Sequence, residues 1–330
     1  MKKIFQQFTL FSVAFFFVPV AFPQSDLPER SYDVRPNVID DYRQRNSNAL
    51  RSSSTQSNNV PDSLNSDLGI QRPVEAKDKG FGYHLGFETK IYHSNNPASV
   101  DGGPYKTSAG IWENALRNNF LLGAYDLGGA SFSPILSLTY SKYPHFGDDF
   151  FDTFDFDSLG LSFAGIFQFS NGWSLRPSFS FNADLNPRDG LERQYSQFAP
   201  GLAVGKSFSL DPVYAFLEWS LGYNFTDTAY ALPGAADDRM NRFETALTSG
   251  LTIPFGNFEF GPMLRFALID YSKVDRTDFM SSLSLQLQYA FAEWLKIKLH
   301  ANLSARNSDQ DNMDFTKLDT GIGASLDARF

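Results

Sequence analysis

The sequence predicts an all-β protein: a transmembrane antiparallel up-and-down β-barrel of about twelve strands, preceded by a disordered N-terminal segment. Three observations carry this prediction. Apolar and polar residues alternate with a period of two in about a dozen segments between Gly80 and Phe330, and in an extended chain that period sends them to opposite faces. Tight and long connections take turns between those segments. Charged residues gather on one face, whereas the other is almost continuously apolar.

The N-terminus sets the compartment. Lys2 and Lys3 precede an apolar run from Phe8 to Val20 that is too short to span a bilayer and is followed by Pro23, Gln24, Ser25 and Asp26, so residues 1-24 read as a secretory signal peptide. No cysteine is present, which excludes an acylated N-terminal cysteine and any disulfide framework. No later stretch approaches 18 consecutive apolar residues, so membrane entry requires a closed barrel, the form that satisfies every strand hydrogen bond in lipid. Residues 25-79 are rich in Ser, Asn, Asp and Arg and poor in aromatics. They cannot bury enough apolar surface to order themselves and are expected to be a disordered periplasmic segment, with a short helix compatible with Pro36 to Arg45. A spacer, a lumen plug and a docking segment for a periplasmic partner all fit that composition.

Residues 80-330 form the expected barrel. Strand one runs from Gly80 to His93, with Phe81, Tyr83, Leu85, Phe87 and Ile91 outward. Strand two falls at about Asn114 to Asp126, where consecutive Phe120, Leu121 and Leu122 leave the phase open. Strand three carries Phe132, Pro134, Leu136, Leu138 and Tyr140, and strand four Leu159, Leu161, Phe163, Phe167 and Phe169. Strand five carries Trp173, Leu175, Pro177, Phe179 and Phe181; the sixth, Phe198, Pro200, Leu202, Val204 and Phe208. Strand seven alternates from Val213 to Phe225, the eighth from Phe243 to Phe255, and the ninth from Phe258 to Leu268. The last three are Phe279 to Phe291, Leu295 to Ala305 and Leu318 to Phe330. An even count returns both ends of the barrel to one side, as bacterial barrels require.

The connections at Asp126 to Ala130, Ser170 to Gly172, Ser209 to Asp211, Gly256 to Asn257 and Ala292 to Glu293 are tight turns and belong to one rim. Those at Ser94 to Glu113, Ser141 to Phe154, Asn186 to Arg193, Thr226 to Asn241, Tyr271 to Arg276 and Arg306 to Phe315 are longer and polar, and belong to the other, outer rim.

An Arg or Lys facing lipid at mid-bilayer costs about 2–4 kcal/mol. On the outward phase of these strands Lys206 is the one such residue, next to a tight turn where it can snorkel. The inward phase carries the lumen-lining candidates Glu88, Lys90, Arg117, Arg176, Glu218, Arg242, Glu244, Arg265, Lys298, His300 and Asp319. Counting back from Asp327 opposite Gly82, closure is expected to bring Lys90 against Asp319. Pro134, Pro177, Pro200 and Pro262 sit on outward positions and are expected at bulges or bends.

The balance of 42% hydrophobic and 16% aromatic residues, 34 of them Phe, suits strands with one face to lipid and one to a polar lumen. A net charge of -9 argues against nucleic acid as a partner, since that demands a basic surface. With its signal peptide, its twofold alternation and its terminal SLDARF, the chain resembles the Gram-negative outer-membrane β-barrel proteins of the twelve-stranded class. The resemblance implies outer-membrane lipid and lipopolysaccharide as surroundings. It also implies an assembly signal, Leu326, Ala328 and Phe330, read by the barrel-assembly machinery.

The first functional reading is a passive channel for small polar solutes, in which mixed inward charges orient the permeant. A closed structural or adhesive barrel is the alternative. An outer-membrane lipid hydrolase is the weakest, because the run Tyr92-His93-Ser94-Asn95-Asn96 puts His and Ser next to each other and therefore on opposite faces. No catalytic residue, cofactor or metal is assigned. Asp309, Asp311 and Met313 occupy the first positions of a calcium loop that lacks its Gly and Glu, and Asp148, Asp149, Asp152, Asp155 and Asp157 read as a solvated acidic loop.

Overall fold

The computed structural model describes residues 81–99, 101, 106–147, 154–210, 212–228, 238–292, 294–310 and 313–329. The signal peptide, the segment 25-79 with its helix at Pro36 to Arg45, Asp148, Asp149, Asp152, Asp311 and Phe330 lie outside the described residues.

The described strands are β1 (Gly82–Ser94), β2 (Ala109–Leu121), β3 (Ala130–Tyr143), β4 (Phe156–Phe169), β5 (Trp173–Asn186), β6 (Glu192–Leu210), β7 (Val213–Thr228), β8 (Arg242–Phe255), β9 (Phe258–Tyr271), β10 (Arg276–Ala292), β11 (Leu295–Ser308) and β12 (Phe315–Arg329). Each pairs antiparallel with the next, and β12 pairs with β1, so the sheet closes on itself without an edge. Every strand exposes large apolar side chains on the outside. Phe87, Trp112, Leu138, Leu161, Phe179, Phe198, Trp219, Leu247, Phe266, Leu285, Leu303 and Leu326 supply one from each. A continuous apolar belt of this kind is incompatible with water and is what lipid requires. The described chain is an all-β transmembrane barrel, with its polar residues turned inward.

The belt has internal order. Phe163, Phe179, Phe198 and Phe225 form a row of ring contacts across β4 to β7, with centroids 5.5, 6.2 and 6.3 Å apart. Lys206 lies over the rings of Trp173 at 5.0 Å and Phe208 at 5.8 Å beside the tight-turn rim, its ammonium on an amphipathic shelf at the membrane boundary. Lys206 is not the sole outward cation, however. Strand β3 extends to Tyr143, which puts Lys142 outside, 3.7 Å from Asp157, whose carboxylate also accepts the Tyr140 hydroxyl.

Strand two departs from the expected boundaries. It begins at Ala109, five residues before Asn114, and ends at Leu121. Its phase changes where the apolar triplet obscured it: Leu121 pairs with Ile135, but Tyr125 pairs with Phe132, four steps on one chain against three on the other. The extra residue falls at Leu122–Ala124, where Gly123 takes a φ of 141°. Beyond Pro144, a two-residue ladder of His145 and Phe146 with Ile111 and Gly110 carries β3's pairing on.

Of the four prolines Pro134 alone lies at a bulge, since the extra residue at Leu122–Ala124 faces Ser133 and Pro134 on the β2 side. Its other side is regular. Pro134 sits directly opposite Gly165 in an unbroken ladder. At Pro177 the β4–β5 ladder skips from Ala164↔Ser178 to Phe167↔Leu175, at Pro200 the β6–β7 ladder from Phe198↔Phe225 to Gly201↔Gly222, and at Pro262 the β8–β9 ladder from Gly250↔Met263 to Ile253↔Phe260. Register is the same on both sides of each gap. A proline lacks its N–H toward one neighbour only, so each keeps its pairing on the other side: Pro177 with Leu202, Pro200 with Phe179, Pro262 with Leu285. Glycines face two of the gaps: a Cβ at Gly222 would lie 3.1 Å from the Pro200 carbonyl, and one at Gly250 3.2 Å from that of Pro262. The other register shifts, at Asp184/Leu185 and Ala290/Ala292, lie away from proline.

The closing register is also corrected. Lys90 stands opposite Gly323, and Asp319 opposite Ser94. The expected pairing of Gly82 with Asp327 is replaced by Gly86 with Asp327, a slip of four residues. An even slip keeps each side chain on its face, which is why inward residues stay inward although their partners change.

Candidate functional site

The lumen is built from rows of inward residues that cross the strands. One row reads Lys298 on β11, Gly323 on β12, Lys90 on β1 and Glu113 on β2, followed by Tyr143 and Phe156, which pair across β3 and β4. The row above reads His300, Gly321, Tyr92 and Ile111. Gly321 and Gly323 are what let these rows converge. A Cβ at Gly321 would lie 2.4 Å from the Ile91 carbonyl oxygen, and one at Gly323 would lie 2.7 Å from the Lys90 Cβ. Over this depression, side chains two strands apart meet: Lys298 reaches Glu88 at 3.3 Å, and Tyr92 packs edge-on to His300 at 5.7 Å.

Charges are cancelled along the wall rather than across the lumen. Lys90 pairs with Glu113 at 2.6 Å, and Arg117 donates to Glu88 at 2.9 Å. Arg176 on β5 reaches Glu218 on β7 at 3.0 Å, passing over β6 where the intervening inward residues are Ala203 and Gly205. Arg265 donates to Glu244. Asp319 pairs with Lys317 at 3.5 Å, not with Lys90. His84, Asp327 and Lys296 form a further group toward the tight-turn rim, His84 3.1 Å and Lys296 3.9 Å from Asp327.

Glu88, Lys90, Arg176, Glu218, Glu244, Arg265, Lys298, His300 and Asp319 line one cavity of about 480 Å³ inside the barrel. Arg117 stands behind Glu88, buried. Arg242 is almost fully covered near the long-loop rim, donating to Gln197 at 3.1 Å and to the Met240 carbonyl at 3.2 Å. Between the two charged walls the cavity is lined by Ser137, Thr139, Ser158, Ser162, Ser178, Ser180, Ser282 and Ser284. Of the assembly residues, Leu326 faces out opposite Phe87 and Ala328 pairs with Leu85.

Two features escaped the sequence reading. Glu113 was lost with the first turns of β2, although counting back by twos from Arg117 reaches it. The lumen also holds apolar groups near its long-loop rim: Ile111, Tyr143 and Phe156 with Tyr92 on one side, and Met240, Ile269 and Tyr271 with Met280 on the other. The parity of β2, β4 and β9 marks several of them as inward, but a rule that equates apolar with outward hides them. As for the His-Ser run, Ser94 is buried and His93 is exposed on the other face, so the two do not converge.

No protein-family model matches the chain, and no curated protein matches it in sequence. Solved structures do match in shape. An outer-membrane channel from Pseudomonas putida F1 aligns with a TM-score of 0.48 and 12% identity, covering 80% of this chain and 100% of that one. The beta domain of the Bordetella autotransporter BrkA aligns at 0.42 and 13% identity over 75% and 99%. LpxR from Salmonella typhimurium aligns at 0.38 and 10% identity over 72% and 99% of the two chains.

Proposed function

We propose that the protein is a passive channel for small polar solutes. The observation that carries this reading is the cavity of about 480 Å³ walled by serines and internally neutralised ion pairs. A lumen filled by its own side chains would leave no such space. Because most charges are paired within the wall, with Arg117 and Lys298 sharing Glu88, the lumen presents dipoles and hydroxyls with a small positive excess, which suits neutral or dipolar solutes. The same reading includes lipopolysaccharide around the long-loop rim, recognition of Leu326, Ala328 and Phe330 by the assembly machinery, and a periplasmic partner for residues 25-79.

Single-channel recording of the refolded mature chain in a planar bilayer tests this. Stable ohmic steps are expected. A folded, heat-modifiable barrel that carries no current would establish the closed structural alternative, and current that emerges only after deletion of residues 25-79 would make that segment a plug.

A further inference from the structure

On the β2–β3 wall of the lumen, three covered polar atoms make no well-formed hydrogen bond among the described residues: Glu113 Oε1, and Ser141 Oγ and Tyr143 Oη, which interact with each other. Their residues are 3%, 1% and 4% exposed, and all three line the cavity. They are neighbours, because Glu113 and Tyr143 lie in one inward row and Ser141 is the next inward residue of β3. Covered polar atoms are ordinarily satisfied, so three together are an exception that calls for an occupant.

From this wall we infer that the lumen holds a binding site for a neutral, hydroxyl-rich ring of monosaccharide size, which deepens the channel reading above. The donor set selects the class. Glu113 is already neutralised by Lys90 at 2.6 Å through its other oxygen, so its free oxygen asks for an uncharged donor rather than a cation. The hydroxyls of Tyr143 and Ser141 both donate and accept, as sugar hydroxyls do. Ile111 and the stacked Tyr143–Phe156 pair, 4.4 Å between centroids, add an apolar surface beside them for the C–H face of a ring. An anionic sugar would meet the carboxylate of Glu113 on this wall and, farther along the row Ser141–Ser158, that of Asp184. The carboxylate of Glu113 can turn about its soft terminal torsion to present Oε1 without losing Lys90.

Saturation-transfer NMR with glucose on the detergent-refolded barrel reads binding without needing conductance. Transfer to glucose is expected, with the dissociation constant raised about three- to tenfold by Tyr143→Phe and by Ser141→Ala, which leave the Lys90–Glu113 pair in place, and more by Glu113→Gln. Retained heat modifiability shows each variant folded. Benzoate and lysine serve as charged competitors and should not displace glucose. Absence of transfer, or transfer unchanged in the folded Tyr143→Phe and Ser141→Ala variants, overturns the site. Binding without any bilayer conductance would instead overturn the channel reading and leave the site standing.

Discussion

Lys90 sits between two carboxylates, Glu113 beside it and Glu88 in the next row, and its opposite number across the seam is a glycine. A double-mutant cycle on Lys90→Ala and Asp319→Ala should therefore be additive within about 0.5 kcal/mol, whereas Lys90 with Glu113→Ala should show coupling of about 0.5–3 kcal/mol. Urea unfolding of the refolded barrel measures both. Gly321 offers a second test at this scale. Its Cβ would fall on backbone at 2.4 Å, so Gly321→Ala should cost about 1–3 kcal/mol by overpacking. Gly128→Ala meets no atom of the described residues within 4 Å and should cost only the strain of a φ of 72°, about 1–2 kcal/mol or less. The lumen charges were readable from parity alone, since Glu88, Arg176 and Lys298 could face only one way once their strands were phased. Their partners were not, because partner choice depends on register and on which small residues, such as Ala203 and Gly205, let a side chain pass over a strand.

At the scale of the strand, β10 gives the cleanest reading of the two faces. Leu285 is outward opposite Pro262, and Gln286 faces the cavity opposite His300. Leu285→Arg should cost about 2–4 kcal/mol and impair membrane assembly, whereas Gln286→Arg should change stability by less than about 1 kcal/mol. Folded fraction on unheated gels, with urea midpoints for both, separates them. Strand existence was legible throughout because each of the twelve carries enough outward apolar side chains to show the period, aliphatic ones alone in β11 and β12. Two kinds of detail were hidden. The extra residue at Leu122–Ala124 reverses parity within one strand, so no single phase fits Phe120 and Tyr125 together. At Pro177, Pro200 and Pro262 no bulge forms, because sequence shows that a donor is missing but not that only one of two ladders needs it.

For the molecule as a whole, the alternation of tight and long connections sorts the loops onto two rims. A protease site inserted at Lys273 or Gly190 should be cut on intact cells, and one at Gly256 should be cut only after the outer membrane is opened; the opposite pattern would invert the barrel. Closure of the ring was legible from the even strand count, but its register was not, because slips of even length preserve the face of every residue and leave no trace in the hydrophobic pattern. In a closed ring, the twelve ladders bear any distortion in series, and the shortest yields first. Two ladders have no unbroken run longer than eight residue pairs, β2–β3 (Asn114↔Lys142 to Leu121↔Ile135) and β4–β5 (Asp157↔Leu185 to Ala164↔Ser178), against fourteen between β9 and β10. The β2–β3 run is interrupted at both ends, by the extra residue at Leu122–Ala124 and by Pro144. Amide hydrogen exchange should accordingly be faster along β2 and β3 than at β9 and β10, and faster than at the β1–β12 junction where the two ends of the barrel sequence meet. The place where this barrel breathes is then the same wall that carries Glu113, Ser141 and Tyr143, which gives those covered atoms a route to a solute without opening the ring at its ends.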